Sequence, residues 1–64
     1  MLNERMREAR QQKGLSQTEL AKLIGVSRQT VNMIENGDYK PTIALCLKLC
    51  KALYKTLNDL FWED

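Results

Sequence analysis

The sequence predicts an all-α domain built from five short helices. In separate stretches of the chain, apolar residues recur at intervals of three and four, which is the spacing of one helix face. These stretches follow a serine, threonine or asparagine, and the first three end at a glycine, as capped helices do. A chain of 64 residues is expected to form a single domain, 1–64. The predicted helices are about 3–13, 17–24, 28–36, 43–54 and 57–61.

The first two helices have clear signals at both ends. Asn3 can cap the first helix, and Gly14 follows its last turn, where glycine readily takes the left-handed conformation. The second helix opens with Ser16-Gln17-Thr18-Glu19, a capping box in which the serine oxygen accepts a backbone N–H and the glutamate accepts the serine N–H. Its apolar face is expected to consist of Leu20, Leu23 and Ile24.

The remaining helices are predicted from the same signals. Ser27 caps the third helix and Gly37 ends it, while Thr42 caps the fourth directly after Pro41. Thr56-Leu57-Asn58-Asp59 repeats the capping-box pattern at the fifth. The fourth helix has apolar residues on more than one face: Ile43, Cys46, Leu47, Leu49, Cys50 and Leu53.

Only Gly25, Val26 and Ser27 separate the second helix from the third. So short a connection forces a sharp corner, where glycine supplies a backbone conformation that a side chain resists. Val26 is expected to fill the inside of the corner, and the small Ala21 lets the third helix approach closely. The core between the two helices is predicted to contain Leu20, Ile24, Val31 and Ile34.

Because Val31 and Ile34 face the core, the opposite side of the third helix faces outward. The residues there are Arg28, Gln29, Asn32 and Met33, with Thr30 near the edge. An arginine fork can bond both acceptors of guanine, and a glutamine amide can bond the acceptor–donor pair of adenine. A helix about 10–12 Å across fits the major groove of DNA. This side therefore predicts a DNA-contacting helix, and the alternative is an ordinary solvated face.

Charge and composition suit a polyanion partner and disfavour an enzyme. The net charge is +2, but residues 1–56 hold all ten basic residues against five acids, whereas the last eight hold three acids and no base. The chain has no histidine, no glycine-rich phosphate loop and no His/Cys cluster with zinc spacing. We therefore expect no catalytic residue, no metal site, no cofactor and no small-molecule ligand.

The cysteines and the apolar runs predict a cytoplasmic protein without a membrane partner. The longest apolar run is too short to cross a bilayer, and two cysteines do not make a disulfide framework. Cys46 and Cys50 lie four apart on one helix and are expected to pack in the core. A redox role for them is the alternative.

The segment QTELAKLIGVSRQTVNMIENG, followed by KPTIALCLKLCKAL and LNDLF, resembles the short Cro/cI-type helix-turn-helix repressors, also called the xenobiotic-response-element family. The resemblance covers Met6 to Phe61 and is most specific over Ser16–Gly37. It implies a five-helix lambda-repressor-like fold, a dimer and binding to operator DNA.

The resemblance also implies roles for individual residues. It places base contacts at Arg28, Gln29, Thr30, Asn32 and Met33. It places contacts to the DNA backbone at Gln17, Ser27, Asn36 and Lys40, and Gln17 is also expected to support the side chain of Arg28. Met33 offers no hydrogen bond where some relatives have a polar residue, so it either packs on a thymine methyl or makes no contact.

Arg10 and Glu35 match an ion pair of this family. Glu35 lies at the negative end of the third helix, where a carboxylate is unfavourable by itself. A bidentate arginine relieves that cost. The alternative is two independent surface charges.

Excess apolar surface near the C-terminus predicts a two-fold dimer formed within about 43–64. The predicted interface residues are Leu57, Leu60, Phe61 and Trp62. Met1–Leu2 is a further candidate for the same interface, as a short strand. The alternative for Trp62 is that it folds back over its own core. Two recognition helices would then enter successive major grooves about 34 Å apart.

The expected function is a sequence-specific repressor that binds a near-palindromic operator as a homodimer. Two alternatives stay open. One is an antitoxin-like protein that binds both DNA and a toxin, and the other is a protein-interaction module.

Overall fold

The computed structural model describes residues 3–61, which fold into five helices and no strand. The helices are α1 (Glu4–Gln12), α2 (Gln17–Ile24), α3 (Arg28–Asn36), α4 (Ile43–Leu53) and α5 (Leu57–Leu60). The all-α, five-helix prediction is confirmed, and the bounds of α2 and α3 match it residue for residue. The proposed strand at Met1–Leu2 and the role of Trp62 lie outside the described residues.

Each helix starts directly after the capping residue that the sequence predicts. The caps are Asn3, Ser16, Ser27, Thr42 and Thr56, each of which accepts a hydrogen bond from a backbone N–H of the first turn. Both capping boxes form as well, with Ser16 N donating to Glu19 Oε1 over 2.8 Å and Thr56 N donating to Asp59 Oδ2 over 2.9 Å. Because these bonds satisfy N–H groups that lack a partner within the helix, they fix each helix start locally.

α4 ends one residue earlier than predicted, because Tyr54 adopts a left-handed conformation with φ 55° and ψ 46°. A side chain makes this conformation unfavourable, so a tyrosine is an uncommon helix-ending residue. The Lys13 ammonium lies 3.7 Å from the centre of the Tyr54 ring, and this cation–π contact favours the arrangement. α5 likewise stops at Leu60, with Phe61 as its cap.

The helices enclose one core. Its fully buried side chains are Met6, Leu20, Val31, Ile34, Leu49, Leu53 and Leu60. Cys46 and Cys50 are also buried, as free thiols, and burial raises the pKa of both. Their predicted packing role agrees with this burial.

Two apolar residues are exposed, of which Leu23 was predicted to lie on the apolar face of the second helix and Ile43 was predicted only as part of the wide apolar surface of the fourth. Leu23 is 62% exposed, because α2 packs against α3 and α4 through Leu20, Ala21 and Ile24 on its other side. Ile43 is 66% exposed at the start of α4. The spacing of apolar residues predicted the helices correctly. The way in which the helices pack decided which apolar side chains are buried.

Candidate nucleic-acid interface

The corner between α2 and α3 depends on the backbone of Gly25. Gly25 has φ 76°, in the left-handed region, and Val26 donates its backbone N–H to Ala21 O over 3.0 Å. A Cβ at Gly25 would meet no atom within 4 Å, so glycine is favoured here by conformation and not by lack of space. Val26 packs against the core and Ala21 is buried, as the sequence predicts.

The corner directs the first residues of α3 into solvent. Val31 and Ile34 bury the inner side of α3, while Arg28 and Gln29 are exposed. Among residues 3–61, no group forms a hydrogen bond or an ion pair with the Arg28 side chain. Both side chains are therefore available to a ligand, and an arginine next to a glutamine offers donors and an acceptor suited to the edges of bases.

Ser27 and Thr30 are tied together at the start of α3. Thr30 donates its backbone N–H to Ser27 Oγ over 3.2 Å, and the two hydroxyl oxygens lie 3.0 Å apart. Thr30 is half-buried and Ser27 is exposed. Capping thus uses part of the hydrogen-bonding capacity of both hydroxyls, which leaves less of it for contacts to DNA.

An ion pair joins α1 to the end of α3. Arg10 Nε donates to Glu35 Oε2 over 2.7 Å, and a second guanidinium nitrogen donates to Glu35 Oε1 over 3.2 Å. Arg10 also donates to the carbonyl of Leu15 over 2.8 Å. Glu35 is the buried charged residue of the described chain, at 3% exposure. These are the two residues predicted to pair.

Gln17 bonds to Glu35 rather than to Arg28. Its Nε2 donates to Glu35 Oε1 over 3.2 Å, and its Oε1 accepts from Asn32 Nδ2 over 3.5 Å. The expected support of Arg28 by Gln17 is therefore not formed. Asn32, one of the residues expected to contact bases, donates a side-chain hydrogen bond to Gln17 of α2.

Asn36, Lys40 and Met33 complete the set of predicted DNA-contacting residues. Asn36 is exposed and donates from Nδ2 to Asn32 Oδ1, one helix turn earlier. Lys40 is exposed in the loop that follows α3, and Met33 is half-buried. The Asn32–Asn36 bond was missed, although the spacing of four residues between two amides on a helix favours it.

The C-terminal residues predicted to form a dimer interface are partly used within the chain. Leu60 is 2% exposed and belongs to the core. Leu57 and Phe61 are half-buried against that core. On α4, Leu47 is 53% exposed, so apolar surface remains in this region.

Within the described residues, no group of three or more His, Cys, Asp or Glu side chains is arranged to hold a metal ion. No helix in the same part of the chain is long and apolar enough to cross a membrane.

Comparison with known proteins decides the family. A sequence model described as helix-turn-helix matches residues 6–60, which is most of the chain. The chain belongs to the Cro/cI-type helix-turn-helix family. It is accordingly a DNA-binding helix-turn-helix transcriptional regulator, and the resemblance noted in the sequence is confirmed.

Relatives of this helix-turn-helix regulator occur in bacteria and archaea. It is 44% identical over 63 residues to the uncharacterised HTH-type transcriptional regulator YgzD of Bacillus subtilis, covering 98% of this chain and 96% of that protein. An uncharacterised HTH-type transcriptional regulator of Archaeoglobus fulgidus is 40% identical over 60 residues, covering 94% of this chain and 86% of the relative.

A solved structure has the same fold. The crystal structure of the restriction-modification controller protein C.AhdI from Aeromonas hydrophila superposes with a TM-score of 0.85 at 41% identity, covering 92% of this chain and 89% of that one. The lambda-repressor-like arrangement predicted from sequence is thus shared with an experimentally determined regulator.

Proposed function

We propose that this regulator represses transcription by binding a near-palindromic operator as a homodimer, through α3 in the major groove. The observation that supports it most directly is the exposure of Arg28 and Gln29 at the start of a helix whose other side is buried. Their side chains match the donors and acceptors of guanine and adenine in the major groove. A dimer that occupies a promoter excludes polymerase without needing a second domain.

The DNA backbone contacts proposed for this regulator surround α3. Gln17 lies at the first turn of α2 and Ser27 caps α3, while Asn36 is the last residue of α3 and Lys40 lies in the loop after it. Polar donors at both ends of a recognition helix suit phosphates on either side of the groove. Thr30, Asn32 and Met33 lie nearer the middle of α3 and are proposed to face bases.

Dimer formation is proposed because one α3 contacts too few bases for specificity in a genome. The exposed Leu47 and the half-buried Phe61 supply apolar surface in the C-terminal region. Since Leu60 is committed to the core, it supports this region from within rather than contacting a partner. Two-fold symmetry would then present two copies of α3 about 34 Å apart.

The similarity to C.AhdI, a restriction-modification controller protein, favours a second candidate, a regulator that controls restriction-modification genes. It uses the same α3. The genes next to the selected operator distinguish the two candidates, because restriction-modification genes there would favour the second.

Selection of bound sites from a random DNA pool tests the proposed function. The expected product is a site with two inverted half-sites whose centres are about one helical turn apart, about 10–10.5 base pairs. Sedimentation of the complex should give two chains per site. Recovery of a short asymmetric site bound by one chain would contradict the dimer, and recovery of no preferred sequence would contradict specific binding.

A further inference from the structure

Four side chains form a continuous row of hydrogen bonds from the exposed end of α3 to the ion pair. Asn36 Nδ2 donates to Asn32 Oδ1, and Asn32 Nδ2 donates to Gln17 Oε1 over 3.5 Å. Gln17 Nε2 then donates to Glu35 Oε1 over 3.2 Å. The row starts in solvent and ends on a carboxylate whose side chain is 1% exposed.

The chemistry of Glu35 sets the direction of this row. A side-chain amide has a donor end and an acceptor end, so a row of amides by itself can run either way. A carboxylate paired with arginine has only acceptors. Gln17 must therefore turn its N–H groups toward Glu35 and its oxygen toward Asn32.

The same constraint passes to the next residue. Because the Gln17 oxygen faces Asn32, Asn32 must turn its N–H groups toward Gln17 and its oxygen toward Asn36. Asn36 can complete the row only by donating. Half a turn of the Asn32 amide would place oxygen against oxygen at Gln17 and N–H against N–H at Asn36.

We propose that Glu35 is a positioning residue that fixes the order of donor and acceptor which Asn32 presents to DNA. This inference rests on the proposed function, in which α3 lies in the major groove. Once the Asn32 side chain has bonded to Gln17 and Asn36, it keeps one N–H and one oxygen lone pair for DNA. A pair of this kind suits the N7 and N6 groups of adenine. An amide that could turn freely would accept two arrangements of the base edge, whereas the fixed amide accepts one.

Asn36 allows a test that leaves the buried ion pair intact, because its side chain is exposed. Asn36→Asp places a second group with acceptors only at the outer end of the row. Asn32 can donate to it only by turning its own oxygen onto the Gln17 oxygen. If Glu35 fixes Asn32, the outer link must therefore fail and the Asn32–Gln17 link must remain. Asn36→Ala is the matched control, since it deletes the outer link and leaves the Asn32–Gln17 link in place.

The first measurement uses the free protein. In ¹⁵N-labelled samples, Asn36→Asp and Asn36→Ala should both leave the side-chain amide signals of Gln17 near their wild-type positions, because Glu35 holds the Gln17 amide in one orientation. Glu35→Gln, where its backbone amide spectrum shows a folded protein, should move the Gln17 and Asn32 signals. It should also speed their exchange with water by about fivefold, as expected for loss of one net hydrogen bond. Gln17 signals that move in Asn36→Asp and stay in Asn36→Ala would overturn the proposal.

The second measurement is site selection from a random DNA pool. Asn36→Asp and Asn36→Ala should both keep the wild-type base preference, at lower affinity because Asn36 is a proposed contact to the DNA backbone. Glu35→Gln, where its backbone spectrum shows a folded protein, should tolerate two bases at one position of each half-site. If the wild type selects a site and Asn36→Asp prefers a different base within it, or the folded Glu35→Gln keeps the wild-type preference, only the role of Glu35 is refuted. If the wild type selects none, the proposed function fails together with it.

Discussion

Arg10 and Glu35 lie 25 residues apart in the sequence and meet through two hydrogen bonds of 2.7 and 3.2 Å. The bond between them ties α1 to the last turn of α3. The backbone adds to it, since Asn3 N donates to Glu35 O over 2.8 Å. The orientation of the recognition helix therefore depends on an ion pair at the C-terminal end of α3, whereas Arg28 lies at its N-terminal end.

Arg10→Met should destabilise the fold strongly. It leaves the buried carboxylate of Glu35 without its bidentate partner, which costs about 3–5 kcal/mol of unfolding free energy. Urea denaturation followed by circular dichroism measures this loss. Arg7→Met is the control, because Arg7 is 46% exposed and lies 4.0 Å from Glu35 Oε1. It should change stability by about 0.5 kcal/mol or less. Equal losses in the two variants would mean that the pair has no special role.

Arg28→Ala and Gln29→Ala should each weaken binding to the selected operator by about 1–3 kcal/mol. Each should also relax the preference at one base pair. Both side chains are exposed, so the urea midpoint should stay within the error of the wild type. Fluorescence anisotropy with the operator and with a scrambled duplex separates the two effects. Undiminished preference for the operator in both variants would show that the start of α3 does not contact bases.

Lys40→Ala should weaken binding to the operator and to the scrambled duplex by similar factors. A lysine that contacts phosphate contributes counterion release, so the slope of log K against log salt should fall by about 1. Anisotropy titrations at several salt concentrations provide the slope. The comparison is Lys48→Ala on α4, which is exposed and is not one of the proposed DNA contacts. An unchanged slope in Lys40→Ala would remove Lys40 from the interface.

Glu19 should make stability depend on acid pH. The Ser16 backbone N–H and then the Ser16 hydroxyl hold the pKa of Glu19 below its ordinary value near 4.5. A carboxyl whose pKa is lower in the folded state stabilises the fold above its unfolded pKa, and this contribution disappears as the pH falls through the folded value. Wild type should therefore exceed Glu19→Gln in stability at pH 7, and the gap should narrow below about pH 4.5.

Urea titrations of both proteins across this pH range measure the gap. Glu8→Gln is a suitable control, because Glu8 is exposed within α1 and caps no helix. A gap that is constant from pH 7 to pH 3 would contradict the capping role of the ionised Glu19.

Cys46 and Cys50 should react slowly with thiol reagents in the native protein. Both are buried, and burial raises the pKa of each thiol, which lowers the fraction of reactive thiolate at neutral pH. Absorbance during reaction with a disulfide reagent should show slow release of two equivalents in buffer and fast release in urea. Fast reaction of either thiol in buffer would favour the redox role instead.

Much of the fold follows from signals that act within a few residues. Ser16 with Glu19 and Thr56 with Asp59 form capping boxes across three positions, so local hydrogen bonds are enough to start α2 and α5. Gly25 adopts the left-handed backbone expected of a glycine between two helices. Tyr54 adopts the same conformation without being glycine, and its Lys13 partner is distant in sequence, so the end of α4 could not be predicted from its neighbours.

By itself, the sequence determined the helices, the corner at Gly25 and the exposure of Arg28 and Gln29, because capping, periodicity and glycine conformation are local properties. The tertiary structure alone decided that Leu23 is exposed and that Gln17 bonds to Glu35. The first depends on which side of α2 receives α3 and α4, and the second on bringing together residues 18 positions apart. Neither is encoded in the spacing of nearby residues, since both arise only when the helices pack.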